Sequence, residues 1–191
     1  KSIRKNNSRR KSEKLPMLNI TTEEMIANLK VGSKQESNYS IPLTKPVEIG
    51  EKKLPIHPYV LGYWLGDGNS SNSYITIGDE DIDNVKSIFL DIGYELEKSK
   101  EKYRYVIRGL YKELRLLGLL NNKHIPLNYI WASEQQRMEL LRGLLDSDGS
   151  CNKEGKVEFS NSNEDLSQGV FRLANSLGIK ATINKHKSYL D

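Results

Sequence analysis

The stretch Met138–Gly149, MELLRGLLDSDG, together with the earlier Pro58–Gly68, PYVLGYWLGDG, decides how this chain is read. Each is an apolar run ending in Asp-Gly, and aligning the glycines pairs Val60–Gly68 with Leu141–Gly149 at an offset of 81 residues (148 − 67). One repeat at that spacing marks two duplicated halves rather than a solenoid, whose units recur at periods of about 20–50 residues. Both runs read as helices with glycine inside them. A helical glycine costs roughly 0.5–1 kcal/mol relative to alanine, so Gly62, Gly66 and Gly143 need a reason. Close approach of two helices supplies one. Gly62 and Gly66, and likewise Gly143 and Ser147, lie four apart on single helix faces. Two such faces in contact would set the helix ends, and Asp67 with Asp148, side by side.

Each of these aspartates is followed by a glycine suited to the left-handed cap position. Carboxylates at two adjacent helix C-termini are disfavoured by the helix dipole, by about 0.3–1 kcal/mol each, and by their mutual repulsion unless a cation binds between them. Hard oxygen ligands with no Cys or His nearby in sequence favour Mg²⁺, which meets substrate phosphates, and phosphodiester hydrolysis follows. One isolated Asp-Gly would be an ordinary cap or turn. Two copies, with matching apolar stretches and similar downstream order, favour a shared site.

After each copy comes a short strand, SYITIGD or KVEFSN, then an amphipathic helix over 81–92 or 164–177, stopped by Gly93 or Gly178. Basic strands follow: ELEKSK and KYRYVIR in the first half, and IKATINKHK opening the corresponding hairpin of the second. The expected order is α-β-β-α-β-β twice, an α+β fold, with a helix over 111–120 closing the first half. In KYRYVIR the period of two puts Arg104 and Arg108 on one face and Tyr103, Tyr105 and Ile107 on the other. Lys98 and Lys100 share a face, as do Lys185 and Lys187. Alternate Arg and Lys on a sheet can reach guanine edges and phosphates, although an exposed charged sheet face is common in soluble proteins.

The net charge of +4 is a weaker sign, because KSIRKNNSRRKSEK at the N-terminus holds seven Lys or Arg and one Glu, leaving −2 for everything after Lys14. Thr21 and Glu24 form a capping box for a short helix ending near Lys30, with Gly32 as its stop. A polar connector then runs to about Leu54. No run approaches the ~18 apolar residues of a membrane span, and no secretory signal opens the chain, so a soluble intracellular protein is expected. Cys151 is the only cysteine, which excludes an internal disulfide and a thiolate zinc cage. His57, His124 and His186 lack metal-ligand spacing. Trp64 and Trp131 read as core residues.

These features resemble the LAGLIDADG homing endonucleases, in the dodecapeptide form found inside inteins. LRGLLDSDG is the closer match; VLGYWLGDG departs from it, with Leu65 where the second copy has Asp146. Between the copies, NKHIPLNYIWASEQQRMELLRGLLDSDG looks like the family's linker, a Lys-x-Ile-Pro segment leading into the second motif helix. The resemblance covers about Ile41 to Asp191. It implies two pseudo-symmetric αββαββα halves, packed through the motif helices, with saddle-shaped antiparallel sheets lying along the DNA major groove. Residues 41–130 would form the first half with its linker and 131–191 an incomplete second half, lacking its closing helix and a second Lys-x-Ile-Pro. Residues 1–40 would be a remnant of a splicing domain or a DNA-recognition insert.

By position, the resemblance makes Asp67 and Asp148 the catalytic metal ligands for Mg²⁺ or Mn²⁺, with the backbone carbonyls of Gly66 and Ser147 as secondary ligands. Lys123 becomes the basic residue that polarises the scissile phosphate or its attacking water. Lys98, Lys100, Arg104, Arg108, Lys185 and Lys187 become DNA contacts. The implied protein is a site-specific endonuclease on double-stranded DNA, a monomer with an internal pseudo-dimer, forming part of an intein. Two other readings stay open: a nucleic-acid-binding module without cleavage, like a maturase, and a structural insert that supports splicing of a host.

Overall fold

A computed structural model describes residues 18–185, and the chain divides into two compact units, 1–43 and 44–191. The basic tail over 1–14, His186 and Lys187 lie outside the described residues. In the first unit the expected capping box forms: the Glu24 amide donates to Thr21 Oγ1 (3.2 Å) and the Thr21 amide to Glu24 Oε2 (2.9 Å). It caps α1 (Thr22–Ala27), which ends short of the Lys30 expected. Lys30–Val31 (β1) instead pairs antiparallel with Glu36–Ser37 (β2), and Gly32, at φ 73°, turns between them.

The second unit is built on α2 (Pro58–Asp67) and α6 (Glu134–Asp148), the two repeated segments. Pro58 stands at the first helical turn of α2, where its missing N–H costs nothing, and the His57 ring accepts from the Tyr59 amide (3.3 Å). Every residue from Pro58 to Leu65 is buried. A helix apolar all round belongs at the centre of a core. Around it the first half adds β3 (Tyr74–Thr76), α3 (Ile82–Asp91), β4 (Leu96–Lys98), β5 (Arg104–Ile107) and α4 (Leu110–Leu116), with the strands antiparallel in the order β3-β5-β4. Ile75, Tyr105 and Ile107 turn inward onto α2 and Phe89 of α3 in the common core.

The second half comprises α5 (Leu127–Ile130), α6, the antiparallel pair β6 (Gly149–Cys151) and β7 (Val157–Phe159), and α7 (Glu164–Ser176). Ser133 and Gln136 cap α6 reciprocally. Gly93 (φ 86°) and Gly178 (φ 73°) end α3 and α7 as expected. The fold is a mixed helix and antiparallel-sheet structure, with two corrections to the expected strand order. In the first half the strand after the motif helix shrinks to one bridge, Gly68 to Ile75, where the second half has the full hairpin with Gly149 opposite Phe159. In the second half no strand forms over 179–185, because the described residues after α7 hold no second strand to complete a hairpin.

The connector before α2 is a strap across the second half rather than a loose linker. The Val47 amide donates to Ser176 O (2.9 Å), the Lys52 amide to Gln136 Oε1 (3.0 Å), and Ile56 exchanges two bonds with the Tyr129 hydroxyl (3.0 and 2.8 Å). Arg137, fully buried, donates to Ala132 O, Ser176 O and Oγ, and Val47 O. Trp64 is buried with its indole N–H on Asn72 O (2.8 Å), but Trp131 is 55% exposed at the end of α5, a correction to its expected core role. No helix among the described residues is long and apolar enough to cross a membrane.

Candidate active site

The site begins with the reason the two helices touch. A Cβ on Gly62 would overlap Leu140 O and stand 2.9 Å from the Leu144 amide nitrogen; a Cβ on Gly143 would overlap Tyr59 O and stand 2.8 Å from that of Tyr63. Removing the offset of 81 turns Leu140 into Tyr59 and Leu144 into Tyr63, so the two glycines make the same contact on each other's helix. The crossing is therefore a pseudo-two-fold one, at backbone contact. One turn further on, Gly66 meets its own counterpart, Ser147, and a Cβ there would lie 3.3 Å from Asp148 Cβ. The helix ends are thereby locked together.

Asp67 and Asp148 are the last residues of α2 and α6, both half-buried. Burial, followed by the neighbouring Asp148 charge, raises the Asp67 carboxyl to about 6 against an opposing pull from Lys123. Lys123, in the loop before α5, lays its ammonium on the carbonyls of Leu65 and Gly66 (both 3.0 Å) and over the Trp64 ring (5.1 Å). Burial lowers its pKa to about 8 although Asp148 and Asp67 both favour the charged form. A cationic end on the last carbonyls of a helix complements its dipole.

The glycines after the two aspartates do not take the left-handed cap expected for them. Gly68 (φ −73°, ψ 149°) and Gly149 (φ −90°, ψ 157°) are extended, so any residue could adopt their backbone angles. Glycine is required because the chain turns from helix into strand against its own last turn, where a Cβ would overlap Trp64 O or Leu145 O.

The two carboxylates differ in their surroundings. Asp148 Oδ2 accepts from Asn161 Nδ2 (2.8 Å), and Asn163, two residues on, caps α7 and donates to Lys123 O (2.8 Å). No side chain among the described residues donates to Asp67. Sequence reasoning missed Asn161 and Asn163; the only signal was an Asn-x-Asn between a strand and a helix start. The Gly66 carbonyl, expected as a secondary metal ligand, accepts from Lys123 (3.0 Å), and the Ser147 hydroxyl turns back to Gly143 O (2.9 Å). Among the described residues no group of three or more His, Cys, Asp or Glu is arranged so that it could hold a metal ion. An oxygen-only set of two crowded carboxylates, one with its proton affinity raised by burial and then by the other's charge, fits a hard divalent cation such as Mg²⁺ or Mn²⁺.

The expected DNA contacts scatter. Arg104 and Arg108 do lie on the outward face of the first sheet, opposite buried Tyr105 and Ile107. Lys98 pairs with Tyr105 and so falls on the other face, and Lys100 is in the turn beyond β4; the expectation that the two share a strand face is corrected. Lys185 belongs to no strand and pairs with Glu164 (2.6 Å). Lys187 lies outside the described residues.

Residues 135–190, which contain all of α6 but its first residue, and with it Asp148, match the family model described as a LAGLIDADG-like domain. That segment belongs to the LAGLIDADG family. Its fold is similar to a solved structure titled for mesophilic variants of the homing endonuclease I-DmoI, at TM-score 0.50 and 18% identity, covering 69% of this chain and 81% of that one. In sequence, 161 residues are 35% identical to a replicative DNA helicase DnaB from Mycobacterium intracellulare, covering 84% of this chain. The chain spans about a quarter of that helicase's length (26%).

Proposed function

We propose that this chain is a metal-dependent homing endonuclease that hydrolyses both strands of a double-stranded DNA site, using Asp67, Asp148 and Lys123. The observation that carries the reading is the meeting of two half-buried carboxylates at the locked ends of the motif helices, with a lysine ammonium beside them. Asp67 and Asp148 would hold Mg²⁺ or Mn²⁺, aided by the Ser147 carbonyl. Lewis acidity toward the scissile phosphate and an attacking water is what such a cation supplies. Asn161 orients the Asp148 carboxylate, and the Gly62–Gly143 crossing keeps the two acids in register. Lys123 offers a positive charge to a phosphate approaching the acids, with Asn163 steadying its backbone.

We further propose that the chain is carried within an intein. The support is the likeness to a replicative DNA helicase of which it spans only 26%, as expected of an endonuclease segment lodged inside a host protein. Arg104 and Arg108, on the outward sheet face, would lie in the major groove, and Lys100 and Lys185 would meet phosphates.

The test is Mg²⁺-dependent cleavage of a randomised duplex library by the chain, beside Asp67→Asn and Asp148→Asn. Cleavage by the parent and its fall by at least about 100-fold in each variant is the expected outcome. Equal cleavage by all three would remove the carboxylates from the mechanism. Tight, salt-sensitive binding without cleavage would favour the maturase-like alternative.

A further inference from the structure

The outward face of the first sheet is less basic than its arginines suggest. The register aligns Tyr74, Val106 and Glu97 on one rung and Thr76 with Arg104 on another, while the Arg108 amide donates to Glu95 O (3.1 Å). Arg108 pairs with Glu97 (Nη2 to Oε2, 3.0 Å) and lies 4.0 Å from Glu95. Arg104 is held by Glu101 and lies over the Tyr74 ring (5.5 Å). Three glutamates thus accompany two arginines, so the arginine charges are offset locally. Exposed ion pairs add little to stability, so folding alone gives the glutamates little reason to be there. The two arginines also differ: the Arg108 side chain is 62% exposed and Arg104's only 35%.

In the major groove a carboxylate finds its partner in the N4 amino group of cytosine, and a guanidinium in O6 and N7 of guanine. These atoms sit side by side on one G·C pair. An arginine fork and a carboxylate oxygen held 3.0 Å apart on one sheet face present the complementary order of donor and acceptor. We propose that Arg108 and Glu97 together read a single G·C base pair, Arg108 donating to guanine and Glu97 accepting from cytosine while holding the guanidinium in place. The proposal rests on the reading of this chain as a duplex-DNA binder and adds a base to it. Glu95 supplies a second, longer contact to the same guanidinium.

The experiment is selection of bound duplexes from a randomised library by the 191-residue chain, by Arg108→Ala and by Glu97→Gln, with sequencing of the retained DNA. Both substitutions are at exposed side chains, and circular dichroism checks that each variant folds. The parent should retain a site containing a strongly preferred G·C pair. Arg108→Ala should relax that pair by about 5- to 150-fold, the usual discrimination of a bidentate contact, and Glu97→Gln should relax the same pair by less. Other positions should keep their preferences. If the variants relax different pairs or none, or if Glu97→Gln raises affinity uniformly across sequences, the glutamate is only repelling phosphate and the proposal falls. Failure of the parent to bind any duplex would instead overturn the DNA reading itself, before the variants are compared.

Discussion

Around Gly62 and Gly143 the two halves do the same thing: each glycine admits the other helix's backbone, through residues that correspond at an offset of 81. At the helix ends they differ. Asp148 is met by the Asn161 amide, whereas the burial of Asp67 is opposed by the Lys123 charge; and the Lys123 ammonium rests on the last carbonyls of α2. Tyr59 donates to Asp146 Oδ2 (2.9 Å), while the corresponding positions in the opposite sense are Leu140 and Leu65, which share no such bond. Geometry that requires close contact is kept symmetric in this chain, and electrostatics is where the halves have parted.

The symmetric part can be broken most forcefully. Gly62→Ala and Gly143→Ala should each destabilise by about 2–3 kcal/mol in urea unfolding, because the added methyl meets backbone that cannot swing aside. Gly169→Ala, whose Cβ would meet only the Ile125 side chain at 3.3 Å, serves as a mild control. A large inequality between Gly62 and Gly143 would show that the crossing is less symmetric than its contacts.

The next effect sharpens the difference between the acids. A carboxyl with folded pKa near 6 and an ordinary unfolded value of 3.8 binds more protons when native, so its penalty is absent below about pH 4, grows as pH rises and is complete above 6. In EDTA at pH 7.5, Asp67→Asn should therefore stabilise the chain by about 1 kcal/mol, after allowing for solvent screening of a half-exposed group, and the gain should vanish at pH 4. Asp148→Asn should gain less, since it also alters the Asn161 bond, and should lower the Asp67 midpoint in an NMR titration. An Asp67 midpoint unmoved by Asp148→Asn would mean that the two carboxylates do not sense each other. Smallest is Tyr59→Phe, with an expected loss of about 0.5 kcal/mol in thermal unfolding, because its partner Asp146 is exposed to water.

What could be read in advance was whatever depends on local spacing. The motif glycines, the aspartates that end both helices, the Thr21 capping box, the stops at Gly93 and Gly178 and the alternation along β5 all follow from periods of 3.6 and 2. What escaped depends on register or on long-range contact. Glu97 joins Arg108 only because β4 pairs with β5 in one register, which also sends Lys98 to the opposite face. Asn161 reaches Asp148 across a hairpin, and Gly66 O reaches Lys123 from 57 residues away. The extended conformation of Gly68 and Gly149 was hidden for a related reason: an Asp-Gly at a helix end suits either a left-handed cap or a direct turn into a strand, and the strand that follows decides.

The crowding of Gly62 against Leu140 has a consequence for how the chain is made. During synthesis α2, buried along eight of its ten residues in the finished fold, leaves the ribosome about eighty residues before α6 does. At roughly 5–20 residues per second that is an interval of about 4–16 s in which an apolar helix has no partner. Among the described residues the elements of its own half are the ones available to cover it meanwhile, so prompt formation of the β3-β5-β4 sheet would shield the nascent chain from sticking to its neighbours.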